Sequence, residues 1–224
     1  MDIHNGHRER LRNRFIEQGL KGFEDVNALE LLLFYAIPRK DTNPIAHALL
    51  ERFGSLDAVF EASVKELAQV PGVGESAAVL INMLPQMMQK VMVSKTKNTH
   101  ILKDYKTAGE YLQPRFMYER EEIILLVCLD SRKRIINCTE ISRGVVNYVA
   151  ASARKIVECA VLNRADSVII AHNHPNGLPI PSVEDRAATA QIRQSLAAVD
   201  ISLADHFVIT DDEYVSMASM NLMG

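Results

Sequence analysis

Apolar residues follow one spacing in the first part of the chain and another in the second. Through residues 1–94 they recur three or four positions apart, as in Leu29 and Leu33, which predicts several short helices. A polar, lysine-rich stretch follows and predicts a linker over residues 95–107. We therefore expect an all-α domain over 1–94 and a second domain over 108–224.

Two β-rich runs open the second half. Ile123 to Leu129 is continuously apolar, Ile135 to Ile141 alternates loosely, and the polar residues Asp130 to Lys133 between them predict a hairpin turn. The elements predicted after this hairpin are a helix over Val149 to Leu162, a strand over Ser167 to Ala171, a helix from Ser182 to about Val199, and strands near Ser202 to Ile209 and Tyr214 to Met217. The order β-β-α-β-α-β-β predicts an α/β sandwich built on a mixed sheet.

Composition narrows the class of protein. The 224 residues are 48% hydrophobic and 24% charged, with a net charge of −3, which is ordinary for a globular protein and gives no whole-chain attraction to nucleic acid. No apolar run approaches the roughly 20 residues of a membrane helix, and the first residues lack the apolar core of a secretory signal. Cys128, Cys138 and Cys159 are too few and too widely spaced for a disulfide framework. We expect a cytoplasmic protein with reduced thiols and no membrane partner.

A set of candidate metal ligands follows the buried strand. His172 and His174 lie two apart in an extended segment, so both imidazoles can face the same side. Asp185 falls in the first turn of the helix that Ser182 caps. Two imidazoles and a carboxylate suit Zn²⁺ and leave a fourth position for water, which is the arrangement of a catalytic site. Each feature also has a structural explanation, since a helix dipole by itself favours a carboxylate at this position.

The string HNHPNGLPIPSVED over residues 172–185 matches the JAMM pattern, H-x-H-P, six residues, S-x-x-D. It resembles the JAB/MPN domain of zinc metalloproteases, which include deubiquitinating isopeptidases. The resemblance implies a cytidine-deaminase-like sandwich with His172, His174 and Asp185 as zinc ligands. It also implies that Ser182 stabilises the oxyanion of a tetrahedral intermediate, although the same residue suits a helix N-cap.

Segments outside this loop resemble the bacterial RadC (UPF0758) family, which carries a DNA-repair label without a settled molecular function. These segments are GHRERLRNRF, LELLLFYAIPRKDTNPIAHALLERFGSL, VPGVG, ISRG and ADHFVI. Two departures from the family pattern lie after Glu140. Val145 stands where a threonine is typical, and Ala153-Arg154-Lys155 stands where Pro-Arg-Glu is typical. Both changes fall close to the expected active site.

A JAMM enzyme also needs an upstream glutamate that takes a proton from the attacking water. The candidates are Glu121, Glu122, Glu140 and Glu158. Glu140 is the predicted base because it ends the alternating strand and precedes the ISRG segment; its other explanation is an ordinary charge at a strand end. His206 is far from the triad in sequence, and we expect a structural hydrogen-bonded residue or a support for a ligand.

The segment VPGVG, Val70 to Gly74, resembles the helix-hairpin-helix motif. Its glycines let the backbone approach a phosphate, and the amides that open the next helix point at it. Gly72, Val73 and Gly74 are the predicted DNA contacts, which would be independent of base sequence and sensitive to salt. Residues 1–98 carry twelve basic and twelve acidic side chains, so a plain turn in a protein-docking domain stays an alternative.

Together these features predict a JAMM-type zinc metallopeptidase or isopeptidase that attacks a peptide or protein substrate with a zinc-activated water. The alternative is a DNA-associated binding protein whose JAMM half is non-catalytic or performs another hydrolysis, such as that of phosphoesters. The sequence names neither the substrate nor the oligomeric state.

Overall fold

A computed structural model of the chain describes residues 3–144, 149–175 and 177–223. The chain divides into two compact units, Met1–Met88 and Gln89–Gly224. Within the described residues, no helix combines the length and the apolar character needed to cross a membrane. Val145, one of the two departures from the family pattern, lies outside the described residues.

The first unit is helical, as the spacing of apolar residues predicts. Leu29 and Leu33 of one helix and Ile45 and Leu49 of the next are all buried in one core. Ser63 starts a short helix with a capping box, in which its hydroxyl and the Glu66 carboxylate each bind the other's backbone amide. The helices that begin in this unit are α1 (Ile3–Gln18), α2 (Asp25–Ala36), α3 (Asn43–Phe53), α4 (Leu56–Glu61), α5 (Val64–Leu67) and α6 (Glu75–Lys95).

In the part of the chain that is described, the second unit is an α/β fold on one five-stranded sheet of order β2-β1-β3-β4-β5. Its strands are β1 (Ile123–Leu129), β2 (Ile135–Arg143), β3 (Ser167–Asn173), β4 (Ser202–Ile209) and β5 (Tyr214–Ser216). Its helices are α7 (Tyr105–Leu112), α8 (Val149–Leu162) and α9 (Val183–Ala197), with a 3₁₀ turn at Gln113–Arg115. Among the described strands, only β3 and β4 run parallel. The predicted order of elements and the mixed sheet are confirmed.

Both faces of this sheet are covered, so successive residues of β1 enter different cores. Leu125 and Val127 pack on the side of α7, whereas Ile124 and Leu126 pack on the side of α8 and α9. His172 of β3 lies opposite Ile124 in the strand pairing. Because directly paired residues share a face, the His172 ring lies on the side of α8 and α9.

The lysine-rich stretch between the two predicted domains contains regular contacts. Ile101 forms a single β-bridge with Arg134, Leu102 is buried in the core on the α7 side, and the Asp104 carboxylate caps α7 at the Thr107 amide. The domain bounds 1–94 and 108–224 stay predictions.

Candidate metal centre

Three candidate ligand atoms converge at the end of β3. The Nε2 atom of His172 lies 3.1 Å from Nε2 of His174 and 3.2 Å from Oδ1 of Asp185. The other carboxylate oxygen of Asp185 lies 3.5 Å from Nε2 of His174. The structure therefore brings together the two histidines and the aspartate on which the sequence prediction rests.

The main chain positions the second histidine. The His174 amide donates to the Ile209 carbonyl of β4 at 2.9 Å, so the loop begins against the end of the neighbouring strand. Its Nδ1 lies 3.0 Å from the Leu178 carbonyl. A carbonyl only accepts, so we assign the ring hydrogen to Nδ1. Nε2 of His174 then presents a lone pair to the cluster.

Asp185 is held by the cap of α9. Its Oδ2 accepts from the Ser182 amide at 2.8 Å and from the Ser182 hydroxyl at 2.6 Å, while its own amide donates to the Ser182 oxygen at 3.0 Å. This is a capping box with aspartate in the third helical position. Ser182 is thus the N-cap that the sequence suggested, and it contacts one of the three candidate ligands.

Charge and burial act in opposite directions on this carboxylate. Burial by itself would raise the pKa of Asp185, but the His172 and His174 rings beside it outweigh burial and hold the pKa well below its usual range. The Asp185 carboxylate, which would accept a hydrogen bond from the protonated ring, in turn raises the pKa of His174, against the effect of burial. The cluster therefore contains an ionised carboxylate beside two imidazoles.

The donor set fits a tetrahedral metal ion. Ligands about 2.0–2.1 Å from a tetrahedral zinc ion lie roughly 3.3 Å from one another, and the separations here are 3.1, 3.2 and 3.5 Å. Nε2 of His174 and Oδ2 of Asp185 are both acceptors, so a cation between them satisfies both. Two imidazoles and one carboxylate at these distances can hold a metal ion.

A chain of buried side chains continues behind His172. Its Nδ1 lies 2.8 Å from Nε2 of His206, and Nδ1 of His206 lies 2.6 Å from the Thr189 hydroxyl. That hydroxyl donates to the Asp185 carbonyl at 2.6 Å. Burial, followed by the charge of His172, holds the pKa of His206 well below its usual value. His206 is therefore the buried, hydrogen-bonded histidine that the sequence suggested, and its partner is a candidate ligand.

Glu140 does not join the cluster. It pairs with Leu125 in the sheet, and Leu125 packs on the α7 side, so Glu140 lies on the face opposite His172. A β-bulge explains the position. Ile124 pairs with Ser142 but Leu125 pairs with Glu140, and the extra residue reverses the faces of the residues before it. The Glu140 carboxylate instead binds Arg143 at 2.7 Å.

Two of the other candidate glutamates, Glu121 and Glu122, directly precede β1. Glu122 continues the ladder, since its carbonyl accepts from the Gly144 amide at 2.9 Å. Strand alternation puts Glu122 on the same side as Ile124, and its charge contributes to the raised pKa of His174, after Asp185 and Leu178. Glu158, on α8, is exposed.

Asn173 connects the start of β1 to the strand segment that contains the histidines. Its side chain accepts from the Ile123 amide at 2.7 Å and donates to the Glu121 carbonyl at 3.0 Å. No role was assigned to Asn173 from the sequence. The signal for this role was its place between two candidate ligands in a strand, where its side chain must face the opposite side from theirs.

The second departure from the family pattern can be located. Ala153 is buried in the core on the α8 side, and Arg154 is exposed. Lys155 donates from Nζ to the Ile141 carbonyl, and Ile141 is the residue that the bulge leaves without a partner in β1. A glutamate, which is typical of the family at this position, has no hydrogen to donate to that carbonyl.

In the first unit, the predicted DNA-contacting residues lie beside a cleft of about 520 Å³. Gly72 has φ +89°, and a Cβ there would lie 2.9 Å from Ile45, so both conformation and space require glycine. Val73 is buried in the core, which leaves only its backbone for a ligand. The cleft is lined by Ala36, Ile37, Pro38, Arg39, Lys40, Gly72, Gly74, Glu75, Ser76 and Ala77.

The mixed sheet between helices and the His-His-Asp cluster at the end of β3 define a domain of the JAB class. Residues 102–222 match the RadC-like JAB domain family, and residues 44–81 match the SAM-like helix-hairpin-helix tandem. The chain belongs to the RadC (UPF0758) family. A UPF0758 protein of Fusobacterium nucleatum is 34% identical over 97% of both chains. UPF0758 proteins of Paraburkholderia xenovorans (33%, 92% of this chain and 82% of the relative) and Neisseria meningitidis (32%, 96% of both) are similar.

Asn173→Ala should destabilise the sheet unit by about 1–3 kcal/mol, because the buried Ile123 amide then has no acceptor in the side chain at position 173. Urea unfolding followed by circular dichroism measures this loss. Asn137→Ala, on the partly exposed edge strand β2, is the matched control and should change the unfolding free energy by no more than about 0.5 kcal/mol. Equal losses in both variants would contradict the assignment.

Proposed function

We propose that this protein is a zinc-dependent hydrolase of the JAMM type, in which His172, His174 and Asp185 bind the metal. The observation that carries the proposal is the convergence of two Nε2 atoms and a carboxylate at near-tetrahedral separations in a RadC-like JAB domain. A zinc ion held there lowers the pKa of water toward about 7 and polarises a substrate carbonyl. The ionised Asp185 carboxylate and the lone pair on His174 Nε2 are the protein's contribution to binding it.

The surroundings of the cluster favour an amide substrate over a phosphoester. Leu178, Ile180 and Val183, in the loop between the ligands and at the start of α9, are 68%, 62% and 66% exposed. The segment 172–185 contains no lysine or arginine, whereas contacts to nucleic acid phosphates depend on such cations. An apolar rim with a few convergent polar groups suits the side chains of a peptide. We therefore propose a peptide or isopeptide bond as the target.

The proton acceptor in this proposal is a glutamate near the cluster. Glu140 was the sequence-based choice, but its carboxylate binds Arg143 on the opposite face of the sheet. We propose Glu122 in its place, because strand alternation puts it on the side of His172 and its charge raises the pKa of His174. Ser182 is proposed to stabilise the oxyanion of the tetrahedral intermediate by turning toward it the hydroxyl hydrogen that is donated to Asp185 in this structure.

Glu122→Gln should lower hydrolysis by about 10²–10⁴-fold, the usual contribution of a general base, and should leave zinc content unchanged. Glu140→Gln is the matched control and should keep near wild-type activity. The assay uses quenched fluorescent peptides with apolar residues at the scissile bond, with zinc content measured on the same samples. If Glu140→Gln abolishes hydrolysis and Glu122→Gln does not, the sequence-based assignment is the right one.

A second candidate function is DNA binding by the first unit. Residues 44–81 match a helix-hairpin-helix tandem, and the cleft beside Gly72 and Gly74 also contains Arg39 and Lys40. Backbone amides at Gly72, Val73 and Gly74, together with these two cations, would contact the sugar-phosphate backbone. Glu75 in the same cleft opposes such binding, so the affinity depends on the balance of charge there.

The double variant Arg39→Ala/Lys40→Ala should weaken binding of duplex DNA by the full-length chain. It should also reduce the slope of log K against log salt by roughly 1.8, since each lost phosphate contact contributes about 0.9. Fluorescence anisotropy over a salt series measures both quantities. Lys21→Ala/Lys65→Ala, two exposed lysines outside the cleft, is the control. Wild-type protein that does not bind DNA at low salt would exclude this function.

A further inference from the structure

A chain of hydrogen-bond contacts behind the His-His-Asp cluster begins at one candidate ligand and ends at another. It runs from the Asp185 carbonyl through the Thr189 hydroxyl and the His206 ring to the His172 ring, with distances of 2.6, 2.6 and 2.8 Å. Thr189 is fully buried, and His172 and His206 are 1% and 2% exposed. Hydrogen bonds in such a setting have no competing solvent, so each donor and acceptor must be matched inside the protein.

The contact between the Asp185 carbonyl and the Thr189 hydroxyl determines which atom donates in each of these hydrogen bonds. The Asp185 carbonyl only accepts, and two oxygen atoms 2.6 Å apart need a hydrogen between them, so the Thr189 hydroxyl donates to it. The same hydroxyl has no second hydrogen. It must therefore accept from Nδ1 of His206, which identifies Nδ1 as the protonated nitrogen of that ring.

The contact between His206 and His172 extends the same reasoning to the His-His-Asp cluster. His206 is buried, and its ring nitrogens contact a hydroxyl and an imidazole rather than a carboxylate, so the ring is neutral. With a hydrogen on Nδ1, its Nε2 is an acceptor. Nδ1 of His172, 2.8 Å away, must then be the donor. A neutral His172 in this tautomer carries no hydrogen on Nε2, the atom that faces Asp185 and His174.

Chain geometry explains why the tautomer of His172 is fixed by other side chains and not by a backbone carbonyl. His174 lies in a loop, where the Leu178 carbonyl fixes its tautomer. His172 lies within β3, and its ring enters the core on the side of α8 and α9. His206 comes from the neighbouring parallel strand, where it pairs with Ile170, two residues before His172. Thr189 follows Asp185 by four residues, so both lie on one face of α9.

We propose that Thr189 and His206 are positioning residues that fix His172 in the tautomer with a hydrogen-free Nε2, and thereby determine the affinity of the site for zinc. This inference rests on the proposed zinc site. Partners of this kind typically change metal affinity by 10–100-fold when they are removed. Valine has nearly the shape of threonine but cannot accept a hydrogen bond. With Thr189→Val, His206 loses the acceptor for Nδ1, shifts its hydrogen to Nε2, and drives the hydrogen of His172 onto the metal-binding nitrogen.

The test compares Thr189→Val with Thr189→Ser in the full-length chain. Zinc affinity is measured by competition with a chromophoric chelator, and the tautomer of His172 is measured from imidazole ¹⁵N shifts in metal-free protein at mildly alkaline pH. We expect about 10–100-fold weaker zinc binding and a hydrogen on Nε2 of His172 in Thr189→Val. Thr189→Ser should restore both. Thr42→Val, which removes the hydroxyl of a fully buried threonine in the first unit, should change neither.

If Thr189→Val does not fold, a second pair of variants tests the same inference. His206→Gln retains both a donor and an acceptor and should bind zinc more tightly than His206→Leu, which retains neither. Circular dichroism identifies unfolded variants.

The possible results separate this inference from the proposed function. Wild-type affinity and an unchanged His172 tautomer in Thr189→Val would overturn the inference and leave the zinc site intact. Wild-type protein without zinc affinity would overturn the proposed function, and the inference with it.

Discussion

The Asp185 carboxylate connects the local structure to the candidate chemistry. Its Oδ2 accepts two hydrogen bonds from Ser182 and so fixes the first turn of α9. The same group faces both histidine rings, at 3.2 and 3.5 Å. An ionised carboxylate this close to two imidazoles is stable because the cap and the rings together compensate for its burial. The first turn of α9 and the charge of the cluster both depend on this group.

The residues around Asp185 act through one another. Asn173 holds the start of β1 next to the histidines, so the segment that contains Glu122 is tied to the strand that contains His172. Lys155 donates to the carbonyl of the bulge residue Ile141, which supports the bulge that turns Glu140 away from the cluster. Lys155 therefore has a specific structural role at the bulge.

Much of this arrangement can be predicted from the sequence because it is local. The order of strands follows from continuous or alternating apolar runs. The convergence of the rings follows from the two-residue period of a strand, and the place of Asp185 follows from a capping box. Glu140 illustrates the limit. One bulge residue reverses strand alternation, and no pattern in the nearby sequence marks it. The partnership of His172 with His206 and Thr189 depends on the register of β3 with β4 and on the packing of α9, which are long-range features.

The metal content of full-length protein, purified without a histidine tag or added zinc, tests the proposed zinc site most directly. Zinc X-ray absorption on the same sample reports the ligand atoms. We expect close to one zinc per chain, bound by two imidazole nitrogens and a carboxylate oxygen at about 2.0–2.2 Å, and loss of the metal in His174→Ala. Wild-type protein and His174→Ala with equally little zinc, or a zinc ion coordinated by sulfur, would contradict the proposed zinc site.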